Sequence, residues 1–385
     1  MHSSRQRIFT KTIGLLSGLL VVGGPTVSEA DEREALGEAL FTDTNLSLNR
    51  NQSCSNCHDP NVAFSEGRND GVVGAVSLGD DGVSLGDRNA PSLTYSSLVP
   101  SFQRDEDDHP LGGFFRDGRA TTLLDQLAEP FTNPIEMALP DIATVVARVR
   151  ETPSHVASLE SIYGNHVFDD PDAAFQAIIE SIAAFEQSAR FSPFDSKYDR
   201  YLKDEYALTQ EEELGRVFFF SQLTNCHRCH LLDTKEFTAE ETFTNHRYHN
   251  IGIPQNSAVR AQNGLPSTYT DTGLLQNPAI DDPTVAGQFR VPSLRNVAVT
   301  SPYMHNGVFN DLLTTVLFYN KYTLGNPDSQ INPETSIPWR PAEVPDTIDY
   351  ELLRTGQPIS SRQAHALVAF LKTLTDRRYE ALLDR

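Results

Sequence analysis

The chain has 385 residues, 39% of them hydrophobic, and a formal charge of −21 from 31 basic and 52 acidic side chains. That length holds two domains of ordinary size, and the apolar content excludes both a polytopic membrane protein and a disordered chain. The negative charge excludes a nucleic-acid binder, since phosphates need a basic surface, and it suits steering of a basic protein partner.

Residues 1–30 read as an export signal. Arg5, Arg7 and Lys11 form a basic start, 13–22 is a short apolar stretch, and Ser28 and Ala30 supply the small residues of a cleavage site. The apolar stretch is too short to span a bilayer comfortably, and no second one follows. The expectation is a Sec-type signal, a periplasmic destination and no membrane span after cleavage.

A short helical pattern over 32–41 precedes Cys54-Ser55-Asn56-Cys57-His58, and another over 211–220 precedes Cys226-His227-Arg228-Cys229-His230. Both are C-x-x-C-H, and they use all four cysteines. Two thiols about one helical turn apart suit addition to the two vinyl groups of a haem, with the adjoining histidine as axial ligand. A thiol redox pair does not need the histidine, and zinc needs four ligands from one cluster. Two covalently bound haem c groups are therefore expected, on Cys54, Cys57 and His58 and on Cys226, Cys229 and His230.

Between the motifs, 71–87 is a Gly/Asp-rich loop, 123–128 and 142–149 are short helices, and 172–188 is a strong amphipathic helix with Phe175, Ile178, Ile179, Ile182 and Phe185 on one stripe. The stretch 326–345 is a Pro-rich insertion, and 360–375 closes the chain as a helix with Leu367, Val368 and Leu371 on one face. No period-2 run of note occurs. The fold class is mainly α: two cytochrome c-like haem domains, 31–190 and 191–385, with long irregular loops.

A haem with an open position can bind a substrate such as peroxide, whereas one with two protein ligands carries electrons. No histidine follows His58 until His109, so the first haem lacks a nearby second ligand. The acidic run 105–108 reads as a solvated loop able to dock a basic donor. His246 and His249 read as solvated, His227 as outward-facing and His305 as structural. Taken alone, Glu136 reads as a surface carboxylate and Tyr319 as a core tyrosine.

The runs Gly86-Asp87-Arg88-Asn89-Ala90-Pro91-Ser92-Leu93, Asp117-Gly118-Arg119-Ala120, Gln126…Pro130…Glu136-Met137, Phe289-Arg290-Val291-Pro292-Ser293-Leu294-Arg295-Asn296 and Pro302-Tyr303-Met304-His305-Asn306-Gly307 resemble the bacterial di-haem cytochrome c peroxidase and MauG family. The resemblance covers nearly all of the chain after residue 30. It implies an oxidoreductase that acts on hydrogen peroxide through high-valent iron at the N-terminal haem, with Glu136 as acid/base and Gln126 beside it. It also implies one calcium ion between the domains, on Asn89 and the backbone carbonyls of Thr300 and Pro302, a hard-oxygen set.

Two departures resemble the MauG branch. The loop after His58 lacks the histidine that caps the first iron in ordinary di-haem peroxidases, and Tyr319 stands where their second haem takes a methionine. Met304 is the rival ligand there. A third departure belongs to neither branch: both carry a tryptophan in a Phe-Trp-Asp-Gly-Arg run, where this chain has Phe115-Arg116-Asp117-Gly118-Arg119, and its one tryptophan is Trp339 in the Pro-rich insertion. Three functions follow: a peroxidase fed by a small cytochrome c or cupredoxin, a MauG-like enzyme oxidising side chains of a partner protein, or a plain electron carrier. Gln126 and Glu136 beside an uncapped haem weigh against the third.

Overall fold

The computed structural model describes residues 28–384 apart from 234, 236, 267 and 324–326. The expected export signal lies outside the described residues except at its end, where Ser28 caps a helix over Glu29–Phe41 and shares a reciprocal capping box with Asp31. That cap sets the start slightly earlier than expected. The remaining longer helices are Leu123–Ala128, Ile142–Val149, Pro153–Tyr163, Pro171–Glu186, Lys197–Leu202, Gln210–Phe219, Leu312–Phe318 and Ser361–Lys372. Among the described residues the rest of the regular structure is short helical and 3₁₀ turns and three antiparallel pairs of two-residue strands, so the mainly α expectation holds.

Two helix crossings organise two apolar cores, and they use the same device. In the first, Leu36, Leu40 and Phe41 pack against Ile178, Ile182 and Phe185. A Cβ on Gly37 would fall 2.0 Å from the Ser181 carbonyl oxygen and 2.8 Å from the Phe185 Cβ. In the second, Phe219 packs with Leu367, Phe370 and Leu371, and a Cβ on Gly215 would fall 1.8 Å from the Ala366 oxygen and 2.8 Å from the Phe370 Cβ. Each glycine lets a helix backbone touch its partner, and the large side chains beside it are buried; each fully buried Leu or Phe contributes about 1.5–3 kcal/mol. The first core draws on residues 36 to 191 and the second on residues 198 to 374.

The helix Leu312–Phe318 was not expected from the pattern, because its Thr314-Thr315-Val316 run has low helix propensity. Asp311 starts it by accepting from the Leu313 N–H at 3.2 Å, and burial of Leu312, Thr314 and Phe318 holds it. Nor does the Pro-rich insertion run free. It folds back as a hairpin, Ile331–Asn332 with Ile337–Pro338, and inserts Trp339 beside Phe309 and Phe318, with ring centroids at 5.6 and 5.2 Å. The indole N–H donates to the Ser329 carbonyl at 2.8 Å.

Because overpacking costs about 1–3 kcal/mol, Gly215→Ala should lower unfolding stability by about 2 kcal/mol in urea titration of the intact protein. An unchanged midpoint would mean that the helices separate without cost.

Candidate active site

Each C-x-x-C-H is built so that its histidine is aimed by the backbone. Cys54–Cys57 forms one helical turn, started by Ser53, whose N–H and hydroxyl both donate to Asn56 Oδ1 at 2.8 and 3.0 Å. The His58 N–H returns to the Cys54 carbonyl at 2.9 Å, and His58 Nδ1 lies 3.1 Å from the Phe64 carbonyl oxygen. The second motif repeats this on a 3₁₀ turn, Cys226–Arg228: the His230 N–H meets the Cys226 carbonyl at 3.0 Å, and His230 Nδ1 lies 3.2 Å from the Phe243 carbonyl oxygen. Phe64 and Phe243 both adopt left-handed backbone, with φ of 52° and 55°, which turns their carbonyls inward. When Nδ1–H donates, Nε2 keeps its lone pair, the tautomer a metal requires. Burial lowers the pKa of His58, and it lowers that of His230 to about 4. Both rings are therefore neutral.

The duplication extends beyond the haem motifs. Pro91-Ser92-Leu93 and Pro292-Ser293-Leu294 each brace a histidine loop: Ser92 Oγ donates to the Ala63 carbonyl at 2.5 Å and Ser293 Oγ to the Thr242 carbonyl at 2.7 Å. Tyr95 and Asn296 then turn through left-handed backbone into 3₁₀ helices, Ser96–Leu98 and Val297–Val299.

Both motifs line one cavity of about 690 Å³ with Gln126, Glu136, Tyr319, Met304, Asn89, Thr300 and Pro302. None of the four cysteines is joined in a disulfide. Among the described residues, the one group of three or more His, Cys, Asp or Glu side chains close enough to share a metal ion is Asp105, Asp107 and His109. The thiols thus form neither disulfides nor a zinc cluster, and paired thiols with a metal-ready imidazole at each end of a common cavity fit two haem c groups. Asp105 pairs with Arg247 at 2.5 Å, and His109 is exposed on the adjoining hairpin and is no part of the cavity.

Beside the first motif, the turn carrying Glu136 is locked from both sides. The Asp80 N–H donates to the Glu136 carbonyl at 2.8 Å, the Glu136 N–H to the Asn133 carbonyl at 3.0 Å, and the Leu48 N–H to the Met137 carbonyl at 2.9 Å. Gln52 Nε2 bridges the Glu136 carbonyl at 3.5 Å and Cys57 Sγ at 3.8 Å. Far from being a surface carboxylate, Glu136 faces the cavity with a buried Oε2 that has no protein partner. Burial lifts its pKa to about 7 against the opposing pull of the Arg119 guanidinium. Gln126, on the helix Leu123–Ala128, lines the same cavity, while Met137 is packed into the first core. The sequence carried no signal for Gln52 beyond its position before the motif.

Beside the second motif, Tyr319 ends the helix Leu312–Phe318. Its neighbour Asn320 is clamped to Ile359, donating to its carbonyl at 2.7 Å and accepting from its N–H at 2.7 Å. Burial raises the phenol pKa, and the Cys229 and Cys226 sulfurs add to the shift, which puts this ring beside the second thiol pair. Met304 also lines the cavity.

Three histidines depart from their sequence reading or extend it. His246 is buried, and burial followed by the Arg290 charge drops its pKa to about 3. His249 is largely enclosed; burial disfavours its charge, yet the Asp349 carboxylate at 3.0 Å raises it to about 9. Neither lies in a solvated loop, because the strand pair Tyr248–His249 with Phe289–Arg290 draws this segment into the wall of the cavity, which both histidines line. His305 stacks on Phe289 at 3.6 Å, in keeping with a structural role.

The oxygens expected to hold calcium do not stand free. Arg116 Nη2 donates to Asn89 Oδ1 at 2.8 Å, and Arg116 Nε to the Asn89 carbonyl at 3.3 Å. Thr300 and Pro302 line the cavity nearby, but the Asn89 side chain already faces a guanidinium. A divalent ion does not fit there beside that charge.

Two metal-ready histidines, four haem-attaching thiols and a poised carboxyl define a di-haem c-type oxidoreductase. A family model described as di-haem cytochrome c peroxidase matches residues 31–207. The methylamine utilization protein MauG of Paracoccus denitrificans is 49% identical over 370 residues, 95% of each chain, and cytochrome c peroxidase Ccp of Escherichia coli is 30% identical over 76% of this chain and 54% of its own. The crystal structure of the diheme peroxidase BthA from Burkholderia thailandensis superposes with a TM-score of 0.78 at 32% identity, covering 91% of this chain and 87% of that one. This chain belongs to the di-haem cytochrome c peroxidase and MauG family.

Two variants separate the candidate ligands of the second haem. Tyr319→Phe should alter the low-spin absorption of that haem, and Met304→Leu should leave it unchanged; the reverse pattern would assign the ligand to Met304. Haem counting by pyridine haemochrome checks attachment, since Cys54→Ala with Cys57→Ala should halve the haem content per chain.

Proposed function

We propose that this chain is an exported, periplasmic di-haem peroxidase that reduces hydrogen peroxide at the N-terminal haem with electrons from a small cytochrome c or cupredoxin. The working division is a peroxidatic domain over 31–190 and an electron-transfer domain over 191–385. No helix among the described residues is long and apolar enough to cross a membrane, and the chain's net charge of −21 favours encounter with a basic donor.

The observation that carries the reading is the Glu136 carboxyl, unpartnered at Oε2 in the cavity shared with Cys54, Cys57 and His58. Cys54, Cys57 and His58 would hold a haem, which when bound would supply the redox chemistry for cleavage of the peroxide oxygen–oxygen bond. Glu136 Oε2 accepts the proton of the bound peroxide oxygen and returns it to the departing one. With a pKa of about 7, neither transfer is steeply uphill near neutral pH. The Gln126 amide, lining the same space, orients the peroxide by hydrogen bonding. His58, fixed through Nδ1 on the Phe64 carbonyl, would hold the first haem through Nε2, and His230 and Tyr319 would hold the second.

A second reading is oxidation of side chains on a partner protein. It is favoured by the 49% identity to MauG of Paracoccus denitrificans together with Tyr319 beside the second thiol pair. Stopped-flow mixing with peroxide, with and without reduced cytochrome c, tests the choice: fast donor-dependent turnover supports the peroxidase, and a long-lived oxidised state with poor turnover supports the second reading.

Glu136→Gln preserves shape and removes the proton acceptor, so its reaction with peroxide should be about 10²–10⁴-fold slower at unchanged haem content. In the native enzyme the base is the ionised carboxylate, so the rate should rise with pH up to about 7 and level off above it. A variant as fast as wild type, or a rate flat from pH 5 to 8, would contradict the assignment.

A further inference from the structure

We propose that Arg116 is a resident cation between the two haem sites: its guanidinium takes the place of a divalent ion at Asn89 and, with Arg290, forms the counter-charge for the carboxylate groups of the haems. Arg116 lies in the turn after Phe115 and reaches both oxygens of Asn89 through Nη2 and Nε. Asn89 is itself locked across the cavity, its N–H donating to the His305 carbonyl at 2.7 Å and its Nδ2 to the Gly74 carbonyl at 3.2 Å. The guanidinium is therefore anchored on a rigid point between residues of the first and second halves of the chain.

Its charge is not neutralised by protein. Nearby Arg88 is matched by Asp117 at 2.6 Å and Asp271 at 2.7 Å, whereas among the described residues neither Arg116 nor Arg290 has a carboxylate partner. Arg290 Nε is buried without an acceptor, and both side chains line the cavity. The Arg290 N–H also donates to the Arg116 carbonyl at 3.0 Å, so the two cations belong to one unit. Burial depresses both guanidinium pKa values, and the Arg290 and Arg88 charges help to bring that of Arg116 down to about 10. Two buried like charges persist only where an anion completes the site. Porphyrin carboxylates entering with the haems are anions of the required kind, and Arg binds carboxylates in planar, bidentate geometry. A divalent ion would add a third positive centre to the same place, next to an Asn89 oxygen already in use.

This inference concerns metal content and charge, so it stands or falls separately from the peroxidase reading. The holoenzyme is passed into metal-free buffer and assayed for calcium by mass spectrometry, then treated with EGTA and with calcium chloride while its absorption spectrum and melting temperature are recorded. Well under one calcium per chain is expected, with no response to either reagent. Arg116→Gln should become calcium-responsive, binding with a Kd on the order of 10⁻³ M as weak oxygen-ligand sites do, and its haem midpoint potentials should fall because a positive charge has been removed. Arg116→Lys keeps the charge and should behave as wild type on both counts. One stoichiometric calcium in the wild type whose removal changes the spectrum would overturn the proposal. So would an Arg116→Gln protein whose potentials and calcium response match wild type. Should Arg116→Gln fail to fold, the wild-type calcium assay and Arg116→Lys decide the matter.

Discussion

The structure depends on one hydrogen bond made twice: a histidine Nδ1 held by the carbonyl of a phenylalanine in left-handed backbone, His58 on Phe64 and His230 on Phe243. It fixes the tautomer, and with it the ring nitrogen offered to iron. The Pro-Ser-Leu segments and the glycine-mediated helix crossings serve to keep those two carbonyls in place. Phe64 stacks on Phe191 at 4.1 Å and packs edge-on to Phe185, while Phe243 meets Phe219 and Phe370. The aromatic cores that stabilise each half therefore also hold the loop that aims each ligand.

Function arises where the two halves stop matching. Around the first motif the cavity wall presents an unpartnered carboxyl and an amide, groups that move or orient protons and bind ferric iron weakly. Around the second it presents a phenol, a group that favours the oxidised metal. The same scaffold thus sets two different groups of side chains beside two like histidine sites. Of the arginines that line the shared cavity, Arg88, Arg119 and Arg295 are matched by carboxylates, whereas among the described residues Arg116 and Arg290 are not.

Much of this was legible in the residues, and what was not has physical reasons. The cysteine spacing announced the cofactor because thioether attachment demands it, and the 3.6-residue periodicity of 172–188 and 360–375 exposed the helices that carry the cores. Helix starts shifted by a residue or a few where caps such as Ser28 decide them. The chemical role proposed for Glu136 was invisible to periodicity or composition: it depends on burial, which depends on backbone contacts from Leu48 and Asp80. The pairing of Arg88 with Asp271 joins residues far apart in the chain, so no local pattern could report it. His246 and His249 misled because polar surroundings in sequence became a buried strand pair in space. The second copies of the Pro-Ser-Leu brace and the close helix crossing were present in the sequence but too short to stand out as a repeat.

The central claim is that the two histidine sites differ in what faces them, the first left open to peroxide and the second closed by a protein ligand. Electron paramagnetic resonance of the fully oxidised protein tests this most directly. One high-spin and one low-spin ferric signal are expected, with peroxide reacting at once and without prior reduction. Two low-spin signals, with reactivity appearing only after half-reduction, would mean that a side chain caps the first iron, and would contradict the account.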